Sequence, residues 1–312
     1  MNRAERETVA AIRRDGELTV VPLRHPGRWV AATVLTVALG GTLWSFAKNQ
    51  NVSWPTVGTF LFNGLILHGI VVTLYLTVVA MVIGVIGGTL VATMRTSKNP
   101  IVSSIAKAYV WFFRGTPILI QIIFWGYFGA IYPRIAIGIP FTHVTWFSEQ
   151  SSSLITATMA AILSLGMNEI AYSSEIVRGG INGVTRGQTE AAYSLGLTPA
   201  QTTRRVVLPQ AMRIIIPPMG NEVLTMLKET SLVSVIAGRD LMTADEQIYS
   251  QNYRVIPLLV VAGLWYLLLT SLLSIPQRRL ERHFGRSAVA AGQSGLARML
   301  AGGLASRFGS RT

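Results

Sequence analysis

The sequence predicts an all-α polytopic membrane protein with six transmembrane helices. The composition is 50% hydrophobic and only 13% charged, which is too poor in charge for an ordinary soluble domain of 312 residues. Six apolar runs approach the roughly 20 residues that a helix needs to cross a bilayer. The basic residues lie between these runs and are dense in alternate connections.

The six apolar runs define the predicted helices in chain order. The second is long enough to tilt or protrude. The third is short, but the amphipathic stretch 105–113 before it can extend it along the membrane surface. The runs are residues 29–46, 64–94, 117–132, 154–176, 214–236 and 255–275.

The distribution of Lys and Arg predicts the orientation, because positively charged connections stay in the cytoplasm. One set of connections holds 22 of the 27 basic residues, and the alternate set holds four. Both termini are therefore predicted to be cytoplasmic. The basic set comprises residues 1–28, 95–116, 177–213 and 276–312.

Residues 29–46 have two interpretations. Ser45 and Ala47 resemble the small residues before a signal-peptidase site, so the run could be a cleaved signal peptide. The charged lead 1–28 is long for such a peptide, which favours a retained anchor helix. At the other end, residues 283–312 are rich in Gly, Ala, Ser and Arg and predict a flexible cytoplasmic tail that contacts anionic lipid.

The basic connection 178–213 predicts an elbow of two short helices. Residues 185–195 are good helix formers, and Gly196 is suited to end that helix with a positive φ. Thr198 is a plausible N-cap, and Pro199 is favoured at the first position of a second helix. Such an elbow could transmit force from a partner to the membrane helices.

The same connection carries a spaced motif. It reads EAA at residues 190–192, Gly196 after three residues, Val206 after nine more, and then Leu208 and Pro209. This pattern resembles the signature of permeases of binding-protein-dependent ABC importers, with Val206 in the usual place of Ile. An ordinary amphipathic connector helix would explain Gly196 and Pro199 but not the whole set.

A narrower resemblance, to the polar amino-acid branch of these permeases, covers residues 63–282. It is carried by FFRGTP at 112–117, EIVRGGI at 175–181, GQTEAA at 187–192 and LKETSLVSVI at 227–236. It implies a five-helix type I importer core with the EAA loop at 178–213. The helix 29–46 is a departure from that core.

The resemblance also implies the partners and the location. The chain would lie in a bacterial cytoplasmic membrane with a pair of ABC ATP-binding subunits, an external solute-binding protein and a second permease chain, identical or similar. No GxxxxGK[ST] motif occurs, so ATP and Mg are expected on the partner, and this chain is expected to bind no cofactor and to be no enzyme. Nucleic acid is not an expected partner, whereas membrane lipid is. The residues implied to couple to the ATPase are Gly187, Glu190, Ala191, Ala192, Gly196, Leu208 and Pro209.

Charged residues within the predicted spans are candidates for the substrate pathway. An ionised side chain costs about 2.5 to 3.5 kcal/mol at the centre of a spanning helix, so each needs a partner or water. The alternative is structural pairing, with each other or with Arg178 and Arg213, and pairing is the preferred interpretation for Glu175 with Arg178. The candidate pathway residues are Asn168, Glu169, Asn221, Glu222, Lys228, Glu229, Thr230 and Ser231.

Two further points stay open in the sequence. Intramembrane charges also suit an ion-coupled secondary transporter, and the EAA elbow is the feature that favours the importer. Pro217 and Pro218 either break the fifth helix or, as we favour, begin it after the elbow. The absence of cysteine and of HExxH spacing predicts no metal site.

Overall fold

The chain is almost entirely helical. The computed structural model describes residues 26–139 and 145–308, so most of the predicted N-terminal segment 1–28 lies outside it. The described residues fall into two units, one before and one after the boundary between Val52 and Ser53.

The elements follow one another with short connections. The helices are α1 (Pro26–Lys48), α2 (Trp54–Leu61), α3 (Gly64–Arg95), α4 (Pro100–Gly115), α5 (Ile118–Gly126), α6 (Phe128–Ile131), α7 (Ser151–Leu154), α8 (Ala157–Asn182), α9 (Arg186–Ser194), α10 (Pro199–Thr202), α11 (Leu208–Glu229), α12 (Leu241–Asn252) and α13 (Val255–Phe308). The strands are β1 (Arg134–Gly138) and β2 (Thr145–Gln150), and shorter helical turns are Gln50–Val52, Thr203–Val207 and Thr230–Ile236.

Helix α1 matches the first predicted span. It is apolar along its length and has no acidic residue in its first turn. Every side chain from residue 27 to 48 is exposed. Such uniform exposure of apolar side chains suits a lipid environment.

In the second unit, α3 and α8 approach each other closely through glycines of α3. A Cβ added to Gly84 would lie 2.1 Å from Cγ of Glu169, and one added to Gly88 would lie 2.6 Å from Cβ of Ser173. Because these contacts leave no room for a side chain, the glycines permit the close packing of α3 against α8.

Three apolar layers succeed one another along α3. The first is built around Ile66 and Ile70 with Leu241 of α12. The second surrounds Leu76 and contains Leu165 of α8 and Met226 of α11. The third joins Ala92 to Val177 and Ile215. This core fixes α8 and α11, the two helices that carry the candidate pathway residues.

The six-helix count is not confirmed, although the all-α membrane fold is. By length and mean hydropathy, three of the described helices could each cross a membrane: Gly27–Lys48, Gly64–Arg95 and Val255–Phe284. Helices α8 and α11 occupy the predicted fourth and fifth spans but do not meet that criterion. The reason is their polarity, since α8 carries Glu169 and Glu175 and α11 contains Glu222, Lys228 and Glu229.

The predicted third span, 117–132, is not one straight helix. Helix α5 is only nine residues long and joins α4 at a bend of 98°. The two form a possible fourth span as a bent pair. Pro117 explains the break, because it has no backbone N–H and disfavours helical dihedrals at the residue before it.

The connection after this span contains a β-hairpin, which the sequence analysis did not predict. Strands β1 and β2 pair antiparallel, with Arg134 opposite Gln150 and an irregularity after Ile137. The β-branched and aromatic residues of the strands favour this pairing.

The last two predicted spans also differ in detail. Helix α11 begins at Leu208, so Pro217 and Pro218 lie inside it and do not begin it. Helix α13 continues to Phe308, through the segment predicted as a flexible tail. Ala, Leu, Met and Arg in that segment are good helix formers, and their propensity outweighs the glycines.

Candidate functional site

The first half of the predicted elbow is α9, which ends at a glycine. Gly196 has a φ of +77°, as expected for a residue that closes a helix. The Leu197 N–H donates to the Ala192 carbonyl at 3.1 Å, and the Gly196 N–H donates to the Tyr193 carbonyl at 2.9 Å. These two bonds form a Schellman motif, so the chain leaves α9 in a fixed direction.

The second half starts at once with a capping box. The Gln201 N–H donates to Thr198 Oγ1 at 3.3 Å, and the Thr198 N–H donates to Gln201 Oε1 at 3.0 Å. Pro199 occupies the first turn. The helix then runs through the π-helical turn Thr203–Val207 directly into α11. The second half of the elbow and the candidate pathway helix α11 are therefore one continuous helical segment.

Most of the predicted coupling residues lie on the surface of this elbow. Ala192 is buried, and so is Thr202 of the second half. Leu195, next to the closing glycine, is 83% exposed, which is unusual for a leucine. Arg204 and Arg205 line an open cavity of about 490 Å³ on the second half. The exposed coupling residues are Gly187, Glu190, Ala191, Gly196, Leu208 and Pro209.

The candidate pathway contains three carboxylates that form no salt bridge among the described residues, although Arg114 interacts electrostatically with Glu222 and Lys228 with Glu229. Glu169 is 3% exposed, and its carboxylate accepts a hydrogen bond from Ser173 Oγ at 2.6 Å. Glu222 and Glu229 of α11 are half-buried and interact electrostatically with Glu169. The structure thus brings three predicted pathway residues from two helices together.

Two amide side chains form hydrogen bonds with backbone carbonyls at the bend between α4 and α5. Asn168, another predicted pathway residue, donates from Nδ2 to the Phe113 carbonyl at 3.1 Å. Gln121 donates from Nε2 to the same carbonyl and to the Thr116 carbonyl, both at 3.1 Å. These bonds satisfy backbone groups freed by the bend, which a membrane interior requires. Asn168 therefore stabilises the bend between α4 and α5.

Of the remaining candidate pathway residues, two are exposed and two form hydrogen bonds with backbone carbonyls. Asn221 and Lys228 are exposed, and Lys228 forms no salt bridge among the described residues. Thr230 is buried and donates to the Leu227 carbonyl at 2.7 Å, and Ser231 donates to the Lys228 carbonyl at 2.6 Å. The two hydroxyls stabilise the end of α11.

Glu175 is surrounded by arginines. Arg178 donates from Nε at 2.9 Å and from Nη2 at 2.6 Å, which confirms the predicted pairing. Arg95, the last residue of α3, also forms a salt bridge with Glu175, and Arg114 Nη1 lies 3.7 Å from it. The sequence analysis did not assign Arg95 and Arg114 to this site. Arg114 lies in the FFRGTP stretch, but its partner Glu175 is 61 positions away in the sequence, so no local sequence pattern indicates this pair.

This fold and this site define a multi-pass membrane permease, with a helical elbow on its surface and unpaired carboxylates between its helices. Residues 82–286 match the family described as the binding-protein-dependent transport system inner membrane component. The chain belongs to that family, and it is a permease of the ABC importer class, in the polar amino-acid branch. These findings support the importer and not the secondary transporter.

Individual relatives are transport permeases. The arginine transport system permease protein ArgU of Corynebacterium glutamicum is 42% identical over 268 residues, covering 86% of this chain and 83% of the relative. The nopaline transport system permease protein NocM of Agrobacterium fabrum is 39% identical over 209 residues, covering 67% of this chain and 83% of the relative. Among solved structures, a chain of an amino acid ABC transporter with histidines has a TM-score of 0.61 and 34% identity, covering 70% of this chain and 94% of that one.

Proposed function

We propose that this chain forms the translocation pathway of an amino-acid importer and that its elbow receives the movement of a partner ATPase. The observation that carries the proposal is the uninterrupted helical path from Pro199 to Ile236. It joins the exposed elbow to the helix bearing Glu222 and Glu229. The segment contains the π-helical turn Thr203–Val207 and the interior prolines Pro217 and Pro218, so we expect a displacement of the elbow to reach these carboxylates through a helix that can bend at those points.

The unpaired carboxylates favour a substrate that carries positive charge. Isolated ionised groups are costly within a membrane protein, and a cationic substrate would supply the missing partner. One relative is described as an arginine transport permease, which fits this charge, and others are described as permeases for nopaline and L-cystine. We therefore assign polar amino acids, with preference for cationic ones, as the substrate class.

Partners and topology follow from the family and the charge pattern. The importer would contain a pair of ATP-binding subunits that hold ATP and Mg, an external solute-binding protein and a second permease chain. The chain would lie in the bacterial cytoplasmic membrane with both termini and the elbow inside, because the basic connections are on that side.

Gly196→Asp tests the coupling role of the elbow. A side chain at a φ of +77° adds strain of about 1 kcal/mol, and a carboxylate there faces the negative end of α9. We expect the variant to insert into the membrane but to lose co-purification with its ATPase and substrate-stimulated ATP turnover in liposomes. Insertion is expected to survive because the spanning helices lie outside the altered turn.

The matched control is Gly196→Asn, which keeps the size of the side chain, removes the charge and better tolerates a positive φ. It should lose less turnover than Gly196→Asp. Normal ATPase binding together with normal stimulated turnover in the Asp variant would show that the EAA stretch is only a connector.

A further inference from the structure

Helix α12 is held firmly between α3 and α13. Its N-cap Asp240 accepts hydrogen bonds from the Met242 N–H at 2.9 Å and from the hydroxyl of Thr243. The Leu241 N–H donates to Thr73 Oγ1 of α3 at 3.0 Å. A Cβ added to Gly69 would lie only 2.8 Å from Cα of Leu241, so α3 and α12 are in direct backbone contact.

Both ends of α12 are fixed by unusual backbone conformations. Ala237 and Arg239 before it have φ values of 56° and 65°, and Tyr253 after it has a φ of 57°. Residues other than glycine rarely adopt this region unless the surrounding structure imposes it. The position of α12 therefore depends on its packing.

Asp245 lies within this packed helix and has no partner. Its side chain is 0% exposed, and neither carboxylate oxygen has a hydrogen-bond donor. The Tyr266 hydroxyl of α13 is buried nearby, interacts electrostatically with Asp245 and forms no hydrogen bond with it. The mechanism proposed above does not use either group.

The charged groups around Asp245 do not stabilise an anion. The N-cap Asp240 and Glu246 of α12 are acids, and Glu246 accepts a hydrogen bond from Ser234 at 3.1 Å. Tyr249 of the same helix also interacts electrostatically with Asp245 and carries no positive charge. The turn Thr230–Ile236, which also packs against α12, has no titratable side chain. His68 of α3 and Arg239 line an open cavity of about 240 Å³ beside Ala244. Neither forms a salt bridge with Asp245 among the described residues.

A buried carboxylate in these surroundings is more stable when it is neutral. Ionisation would leave a charge without water, donor or counterion, and a bound proton removes that charge. Burial, with a further contribution from Glu246, raises the pKa of Asp245 from 3.8 to about 7. The raised pKa agrees with what the geometry indicates.

We propose that Asp245 is a proton-binding site that makes the packing of α12 between α3 and α13 depend on pH. With the proton bound, the helix packs as the structure shows. Loss of the proton places an unpaired charge against α13 and loosens α12. Asp245 is none of the candidate pathway or coupling residues, although α12 packs against the turn Thr230–Ile236 at the end of the helical segment that begins at Pro199.

Thermal unfolding at a series of pH values tests this site. The folded protein holds the proton on Asp245 up to about pH 7, whereas the unfolded chain releases it near pH 3.8. The contribution of Asp245 to the free energy of unfolding therefore falls as the pH rises from 3.8 to about 7 and is constant above that range. We expect the Tm of Asp245→Asn to match that of the wild type near pH 4. The Tm of the variant should exceed that of the wild type by a margin that grows up to about pH 7.

Glu246→Gln is the matched control, since it removes the neighbouring acid and leaves Asp245 in place. The Tm of Glu246→Gln should still fall because of Asp245 as the pH rises, over a narrower pH range than in the wild type. A Tm difference between Asp245→Asn and wild type that is the same at every pH would overturn the proposal.

Hydrogen exchange of the wild type provides a second measurement that does not depend on a variant. After correction for the intrinsic effect of pH, peptides covering α12 should lose protection between pH 6 and pH 8. Peptides of α8 serve as the internal reference. Equal protection of the α12 peptides at pH 6 and at pH 8 would contradict the proposal.

Discussion

Glu169 and Glu175 lie on the same helix, fewer than two turns apart, and have opposite surroundings. Glu175 contacts arginines from α3, α4 and α8. Glu169 has a single hydrogen bond, from Ser173, and two other carboxylates nearby. Both residues appear in the sequence as acids on a membrane helix, so only the tertiary contacts distinguish them.

The difference separates a structural carboxylate from a candidate transport carboxylate. Glu175 joins three helix segments that are distant in sequence, and its charge is more than neutralised. The group at Glu169, Glu222 and Glu229 forms no salt bridge among the described residues, and only longer-range interactions with Arg114 and Lys228 offset its negative charge, so a substrate can supply a direct partner. We therefore expect substitutions at the first site to affect stability and substitutions at the second to affect transport.

The largest effect on stability is expected from Glu175→Gln. Removal of the carboxylate leaves Arg95 without its partner, and the Arg95 side chain is only 15% exposed. Breaking a fully buried ion pair on one side costs about 3 to 5 kcal/mol, and this part-buried pair should lose less than that but more than an exposed one. The measurement is the Tm and membrane yield of the purified permease.

Arg178→Gln is the matched control, because it leaves Glu175 paired with Arg95 and removes a more exposed arginine. We expect a smaller loss of Tm from it than from Glu175→Gln. If Glu175→Gln kept the wild-type Tm and lost uptake instead, the division between the two carboxylates would be wrong.

Gly84→Ala should disturb the second site with a smaller loss of stability. The new methyl group would lie 2.1 Å from Cγ of Glu169 and would force that side chain to move. Overpacking of this kind typically costs about 1 to 3 kcal/mol. We expect uptake to fall more than the amount of assembled complex.

Gly263→Ala is the control for that change, since a Cβ there meets nothing within 4 Å. It should keep both uptake and assembly. Equal loss of uptake and assembly in Gly84→Ala would indicate that the Glu169 region only holds helices together.

The elbow was predictable from the sequence because its structure depends on local interactions. Gly196, Thr198 and Pro199 end one helix and begin the next through bonds within five residues of each other. The same holds for the helices themselves, whose apolar runs are long and bounded by polar residues. Helix ends were less accurate, since α11 begins at Leu208 where the sequence predicted residue 214.

The two carboxylate environments were not predictable, because they are made by distant segments. Arg95 and Glu175 are 80 positions apart, and their pairing requires the α3 and α8 packing that Gly84 and Gly88 permit. Asp245 has a polar sequence context and gave no sign of burial. Its exposure is set by α3 and α13, which lie on either side of α12.

The smallest effect on stability is expected at Lys228, which tests whether the acidic group has a basic counterpart. Lys228 is exposed in the last turn of α11, next to Glu229, and forms no salt bridge among the residues described. Lys228→Met should therefore change the free energy of unfolding by no more than about 0.5 kcal/mol, as for most surface positions. A lysine that contacts the carboxylate of an amino acid would have a different effect on transport. Its removal should raise the KM for uptake roughly threefold to tenfold, since each tenfold change corresponds to about 1.4 kcal/mol. Uptake and complex yield are measured side by side, with Lys107→Met as an exposed lysine on α4 for comparison. If Lys228→Met lowered yield and uptake equally, Lys228 would be a helix-end residue that belongs with the structural carboxylate and its arginines.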